Sequence, residues 1–347
     1  MCTRVLATGA AALLLVVAAA CGGNDDDNDG ASASGDGGTL VVYSGREEEL
    51  VAPLFELFEE ETGIAAEVRY GDSAELAATI AEEGGNSPAD VFFAQDPGAL
   101  GAVEGEGLLA ELPEGVLDRV PERYRDPDGH WVGTSGRARV LVYNTDAVPE
   151  SELPASVFDL VDPAWEGRIG MAPTNGSFQA FVTTMRLTAG DERTRDWLEG
   201  IQANDPMLYD GNTPIVEAAA SGEVDVGLVN HYYLYVVRGE QPDAPIENHY
   251  FSGDDPGALV SVAGAAILDG AEHRDAAERF LEFLLSDSGQ EFYADAAESE
   301  FPLVEGVEGA EGLPPLESLE GPLIELDRLG PELQRTLELL NEVGFTT

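Results

Sequence analysis

The run VGTSGRARVLVYN, Val132 to Asn144, is long and extended, and it interrupts a regular alternation of short strands and helices. Upstream, three apolar stretches read as buried strands: Thr39–Gly45, Ile64–Tyr70 and Ala89–Ala94. Each is followed by a helix. Leu50, Leu54, Phe55, Leu57 and Phe58 fall at helical spacing within Arg46–Thr62, and Gly63 suits the stop. Ser73–Glu83 and a helix opened by Asp96-Pro97 come next. Downstream the alternation resumes with a strand at Ile169–Ala172, helices at Ser177–Ala189, Glu192–Ala203 and Pro214–Ser221, and a strand ending at Val229. A second long extended run, Ala258–Ile267, leads to helices at His273–Leu285 and Ser288–Ala297 and a last one at Pro331–Val343.

Alternating strands and helices imply a mostly parallel sheet covered on both faces. Two such series joined by two extended runs imply an α/β clamshell of two lobes, with two crossover strands at the hinge. The expected organisation places residues 39–135 and 265–347 in lobe 1 and residues 136–264 in lobe 2. Sheets of this kind bind ligands beyond the carboxyl ends of their strands, and an interlobe cleft gathers several such ends. Ser44-Gly45-Arg46, Gln95-Asp96, Thr174-Asn175-Gly176-Ser177 and Asn230-His231-Tyr232-Tyr233 all occupy such positions.

The last of these carries the most chemistry. Two adjacent phenols at the mouth of a strand could set two hard oxygen donors on one cation. A small, highly charged ion such as Fe(III) favours anionic oxygen, and a bound trivalent cation makes the phenolate the stable form. Consecutive side chains on a strand point to opposite faces, so both rings can reach one ion only if the strand has ended by Asn230. Arg46 and Arg137 stand at cleft positions in a chain with few basic residues, and an arginine fork suits a small oxyanion. Arg139 shares a strand face with Arg137; one of the two could be a structural ion pair. Asn175, Gly176 and Ser177 precede a helix, where backbone N–H groups receive anions or where the trio simply caps the helix. Tyr43 could be a third phenol ligand or a core residue, and Glu47 an oxygen donor or an exposed first-turn glutamate.

The ends and the composition bound the setting. Arg4 followed by the apolar stretch Ala7–Ala20 reads as a signal peptide, residues 1–20, and Ala18-Ala19-Ala20-Cys21 resembles a bacterial lipobox. Lipidation of Cys21 would anchor the mature chain to the membrane. Residues 21–38, rich in Gly, Ser and Asp, read as a flexible tether. Acidic residues number 67 against 17 basic ones, all arginine, for a formal net charge of -50. Nucleic acid and anionic lipid surfaces are excluded as partners by that balance. The chain contains no Gly-x-Ser-x-Gly elbow and no His-Glu-x-x-His helix, so nothing points to an enzyme.

With these segments placed, the chain resembles the ferric-ion-binding proteins of bacterial ABC importers, members of the type II periplasmic-binding class. The likeness runs from about Leu40 to the C-terminus. It is carried by Val42–Arg46, Pro88–Phe92, Ser135–Val140, Trp165–Gly170, Asn230–Tyr233 and Asp255–Val260, in the same order. The resemblance implies that Tyr232 and Tyr233 are paired iron ligands, with Tyr43 and Glu47 as further metal candidates. Arg46 and Arg137, with Asn175, Gly176 and Ser177, would hold a synergistic carbonate or bicarbonate, while Gln95, Asp96 and Asn230 support the site. It further implies an extracytoplasmic monomer that delivers Fe(III) to an ABC permease. Some family members carry a histidine where this chain has Glu47 and a glutamate where it has Gln95, so those two ligands are absent. The competing reading is a clamshell for another small anion: thiosulfate, a phosphonate or an organic phosphate.

Acidic residues spread along the whole chain fit a surface solvated in a salty medium, where screening relieves self-repulsion. We predict that the midpoint of thermal unfolding rises with added salt; a flat response over the molar range would remove this explanation of the charge.

Overall fold

The computed structural model describes residues 39–295, 299–319, 321–322 and 324–346. The signal segment, the tether and Cys21 lie outside the described residues. The first series runs β1 (Leu40–Ser44), α1 (Glu48–Thr62), β2 (Ala66–Tyr70), α2 (Ser73–Glu83), β3 (Val91–Ala94), α3 (Pro97–Gly105) and a short α4 (Glu114–Leu117), then β4 (Val132–Asn144). The second runs β5 (Ile169–Met171), α5 (Gly176–Ala189), α6 (Asp191–Ala203), β6 (Met207–Leu208), α7 (Asn212–Ser221), β7 (Val226–Asn230), α8 (Tyr233–Glu240) and β8 (Ile246–His249). After β9 (Val260–Ile267) come α9 (Arg274–Leu284), α10 (Asp287–Ala294), β10 (Phe301–Pro302) and α11 (Leu329–Val343). Local signals set several boundaries. Gly63 stops α1 in the left-handed conformation at φ 73°, and Asp72 caps α2 by accepting the N–H groups of Ala74 and Glu75. The sequence did not reveal α8, which begins on the tyrosine pair itself.

The strands form one sheet in the order β2-β1-β3-β9-β4-β7-β5-β6, with β8 and β10 also paired to β4. The outer parts, β2-β1-β3 and β7-β5-β6, are parallel, and β4 and β9 run antiparallel to their neighbours. Every residue of β4 is buried. Its first half, Val132 to Ala138, pairs with β9, and its second half, from Arg139, pairs with β7 and β8. The change of partners therefore falls between Ala138 and Arg139. At the start of this crossing Gly133 faces Gly264. A Cβ on Gly133 would lie 2.6 Å from the Tyr124 carbonyl oxygen, and one on Gly264 would lie 2.9 Å from that of Val132. Only glycine lets β4 pass this close to Tyr124 and β9 pass this close to Val132 of β4.

Each series packs its own aromatic core. In lobe 1 the Phe280 ring stacks on Phe55 at 5.2 Å and meets Phe58 and Phe93 edge-on at 5.0 and 6.2 Å. In lobe 2 Phe181 meets Phe178 and Trp197 edge-on, and the Trp197 indole donates to the Val157 carbonyl at 2.9 Å. The tail helix α11 packs on α3 and also on α5 and α6. Arg186 of α5 donates to the Glu332 carbonyl and to Thr336 Oγ1, at 2.9 and 3.1 Å, tying α11 to the second series. Among the described residues no helix is long and apolar enough to cross a membrane.

Phe280 is fully buried at the centre of the lobe 1 cluster. Phe280→Ala is predicted to destabilise the fold by about 3–5 kcal/mol through lost burial and a cavity, measured as a fall in the urea midpoint.

Candidate metal and anion site

A cavity of about 1020 Å³ opens where the strand ends meet, and Arg46, Gln95, Arg137, Asn175, Tyr232 and Tyr233 are among the residues that line it. The tyrosines reach it as the pairing argument requires. Strand β7 ends at Asn230, Tyr232 has helical backbone angles and α8 starts at Tyr233. The chain has already turned, so the two rings lie side by side, with centroids 4.3 Å apart and planes at 30°. Tyr232 is only 7 % exposed. Burial, then the neighbouring Tyr233 phenol, pushes its pKa well above the usual phenol value, against the pull of Arg137. Deprotonation of Tyr232 therefore needs a strong cation in the cavity.

The arginines divide differently from the expected pattern. Arg46, assigned to an anion, is buried in a two-pronged pair with Glu300: Nη1 donates to Oε2 at 3.2 Å and Nη2 to Oε1 at 3.1 Å. Burial opposes the Arg46 charge, and Glu300, joined by Tyr293 and Tyr232, outweighs it, so the guanidinium pKa is raised. Burial likewise opposes the Glu300 charge, but Arg46 and then Arg137 hold its carboxyl below the usual range. Arg46 is thus a neutralised structural pair rather than a free clamp. Among the described residues no carboxylate lies within ion-pair reach of Arg137 or Arg139. Arg137 donates to the carbonyls of Gln95 and of Val262, the latter at 3.1 Å. Arg139 donates to the Leu228 carbonyl at 2.6 Å, Ser177 Oγ at 3.2 Å and Asn230 Oδ1 at 3.4 Å. Its guanidinium also lies over the Phe178 and Phe181 rings. Burial pushes the Arg139 pKa down to about 9. The Nε atoms of Arg137 and Arg139 are buried without a hydrogen-bond partner.

Comparison with known proteins bears directly on this arrangement. Residues 86–318 match the family described as bacterial extracellular solute-binding protein. A Serratia marcescens Fe(3+)-binding periplasmic protein is 32 % identical over 308 residues, covering 88 % of this chain and 90 % of its own. Iron uptake protein A2 of Synechocystis is 34 % identical over 321 residues, with 88 % and 90 % covered. The chain belongs to the bacterial ferric-ion-binding family of extracellular solute-binding proteins. Iron-bound HitA from Pseudomonas aeruginosa superposes with a TM-score of 0.81 at 36 % identity, over 88 % of this chain and 99 % of that one. A Trichodesmium protein in complex with iron and citrate gives 0.79 at 28 % identity, over 89 % and 100 %. The fold is therefore the two-lobe type II periplasmic-binding fold, and the chain is a solute-binding transport protein rather than an enzyme.

Within this ferric-ion-binding family member, the remaining expected residues are placed as follows. Tyr43 does not serve the cleft. It pairs with Arg69 across β1 and β2, its hydroxyl accepts from Arg69 Nη1 at 3.1 Å, and it donates to Glu83 Oε1 at 3.1 Å. Strand alternation sends it to the α2 side, so its assignment as a metal ligand is corrected. Glu47 is exposed on the cleft rim as the residue before α1, and its side chain caps nothing. Gln95 donates its N–H to Ser73 Oγ at 2.9 Å, and its side-chain Oε1 is buried without a partner. Gly45, between Ser44 and Arg46, packs so closely on Ser73 that any Cβ would overlap Ser73 Oγ. Asp96 caps α3 through Ala99 N–H at 3.1 Å; burial raises its carboxyl pKa, while that hydrogen bond and Arg137 act the other way.

Asn175 caps α5, and its Oδ1 receives the Ser177 N–H at 3.1 Å and hydroxyl at 2.6 Å together with Asn212 Nδ2 at 3.2 Å. Gly176 is the first residue of α5. The trio caps α5, and Ser177 Oγ also accepts from Arg139 at the cavity wall. Asn230 sits opposite Arg139 in the β4–β7 register. Sequence reasoning missed Asn212, Glu300 and Ser135. Asn212 had a faint signal, a polar residue opening a helix just after a short strand. Glu300 had none, since its partner lies 254 residues away.

An unpaired buried charge is costly to keep. Replacing Arg139 with methionine is expected to leave the ligand-free protein within about 1 kcal/mol of wild type, or to stabilise it, as read by urea unfolding. A loss of several kcal/mol would instead assign Arg139 to the core.

Proposed function

We propose that this protein captures ferric iron outside the cytoplasm, together with a small oxyanion, and hands it to an ABC permease. One observation carries the reading: Tyr232 and Tyr233 present adjacent phenols to a cavity that also holds Arg137 and Arg139, two guanidinium groups that make no ion pair among the described residues. Iron binding would displace both phenol protons, and Tyr232 and Tyr233 would bind the metal as phenolates. Arg137 and Arg139 lie on the two sides of the β4 change of partners. An oxyanion between them would take one cation from each half of the crossing strand, which favours the closed state. Arg139 with the Asn175–Ser177–Asn212 group replaces Arg46 as the preferred anion partner, since Arg46 is already paired with Glu300. A carbonate, or a carboxylate of an iron chelate, has the charge and planar geometry such forks accept. Lipidation of Cys21 would keep the protein beside its permease.

The competing reading, a metal-free anion binder, draws on the same two arginines. The deciding experiment loads purified protein with iron, with and without bicarbonate, beside a Tyr232→Phe/Tyr233→Phe variant. Wild type should hold one iron and show visible phenolate-to-iron charge transfer, whereas the variant should stay colourless and iron-free with its far-UV spectrum unchanged. Stoichiometric iron in the double variant would refute the ligand assignment, and tight anion binding without metal would favour the competing reading.

A further inference from the structure

His231 stands between Asn230 and Tyr232 and is completely buried. Its Nδ1 accepts the Ala138 N–H at 3.2 Å, which places the ring proton on Nε2, and Nε2 donates to the Ser299 carbonyl at 2.7 Å. The backbone is held as firmly: His231 N–H donates to the Ala138 carbonyl at 3.0 Å, and Asn248 Nδ2 donates to the His231 carbonyl at 2.8 Å. The imidazole stacks on Phe301, with centroids 4.5 Å apart, and meets the Tyr232 ring edge-on at 5.7 Å. Tyr232 therefore packs against a ring that cannot rotate without breaking hydrogen bonds.

Two of the partners of His231, Ser299 and Phe301, flank Glu300, and these three consecutive residues have three different attachments. Ser299, in a left-handed backbone conformation at φ 48°, offers its carbonyl to His231. Glu300 grips Arg46, which follows β1 in lobe 1, and accepts from Ser135 Oγ on β4 at 2.5 Å. Phe301 stacks on His231 and pairs with Gly136 of β4. One short segment thus touches the tyrosine turn of lobe 2, the first strand end of lobe 1 and the crossing strand between them. We propose that His231 is a positioning residue for the metal, fixing the Tyr232–Tyr233 turn through residues 299–301 to the element that also holds Arg46. The proposal rests on the assignment of those two tyrosines as iron ligands. It explains why a histidine beside two phenols is turned away from the cavity: its role is to hold the geometry at which the phenolate oxygens meet the ion, much as partners behind metal ligands fix their orientation.

The test compares iron-loaded wild type, His231→Phe and His231→Gln. Phenylalanine keeps the stack but loses both ring hydrogen bonds; glutamine restores a donor toward Ser299. In His231→Phe the phenolate-to-iron band should shift, and iron should pass to citrate at a concentration about 10- to 100-fold lower than for wild type. His231→Gln should recover most of both properties. A His231→Phe protein with altered melting but unchanged band and iron retention would overturn the proposal, as would glutamine failing to recover either. If His231→Phe does not fold, Phe301→Leu takes its place, and an unshifted band there overturns the proposal equally. Wild type lacking the band, or the double tyrosine variant keeping iron, would show that the ligand assignment itself is wrong, and the role of His231 would fall with it.

Discussion

Two neighbours on a strand face opposite ways, so Tyr232 and Tyr233 share a cavity only because β7 stops at Asn230. Much of the site follows from that stop. The turn brings the phenols together at 4.3 Å, starts α8 at once and buries His231 behind the rings. A strand one or two residues longer would bury one phenol in the lobe 2 core and expose the other. The hydrogen bond from His231 N–H to Ala138 marks the last contact of this segment with β4 before the chain leaves the sheet.

The crossing strand supplies the other half of the arrangement. Because β4 changes partners between Ala138 and Arg139, the two arginines that flank this point stand on differently paired halves of the strand although they are two residues apart. Side chains at such spacing share a face, so both look into the cleft. A motion of one lobe against the other would bend β4 here and alter the spacing of the two cations. The spacing of these two cleft cations is thereby tied to the partner change within a single strand. The tail helix α11, packed on α3 as well as on α5 and α6, adds a second tie across the same boundary.

Charge makes the site conspicuous. In a chain with 67 acidic residues, neither Arg137 nor Arg139 makes an ion pair among the described residues, although Arg137 stands near enough to Glu300 to help hold its carboxyl ionised. Arg46, equally buried, receives Glu300. Within one cleft, then, one guanidinium is ion-paired and the other two are held by carbonyl, hydroxyl and amide oxygens. Both of these guanidinium groups line the same cavity as Tyr232 and Tyr233.

The sequence by itself determined the order of strands and helices, the two crossings and the tyrosine pair, because hydrophobic period and turn residues are local signals. The run from Val132 to Asn144 is one strand over that whole range, and Ser73–Glu83 is a helix with the bounds its pattern gives. What only the tertiary structure decided is which partner each polar group meets. Arg46 looked like an anion clamp until Glu300 came to it across the fold. Tyr43 looked like a ligand until the pairing of β1 with β2 set it beside Arg69 and Glu83. Asn212 joined the Asn175 cap from another helix. Such pairings are fixed by packing between segments far apart in the chain, where neither residue spacing nor composition carries a trace of the contact.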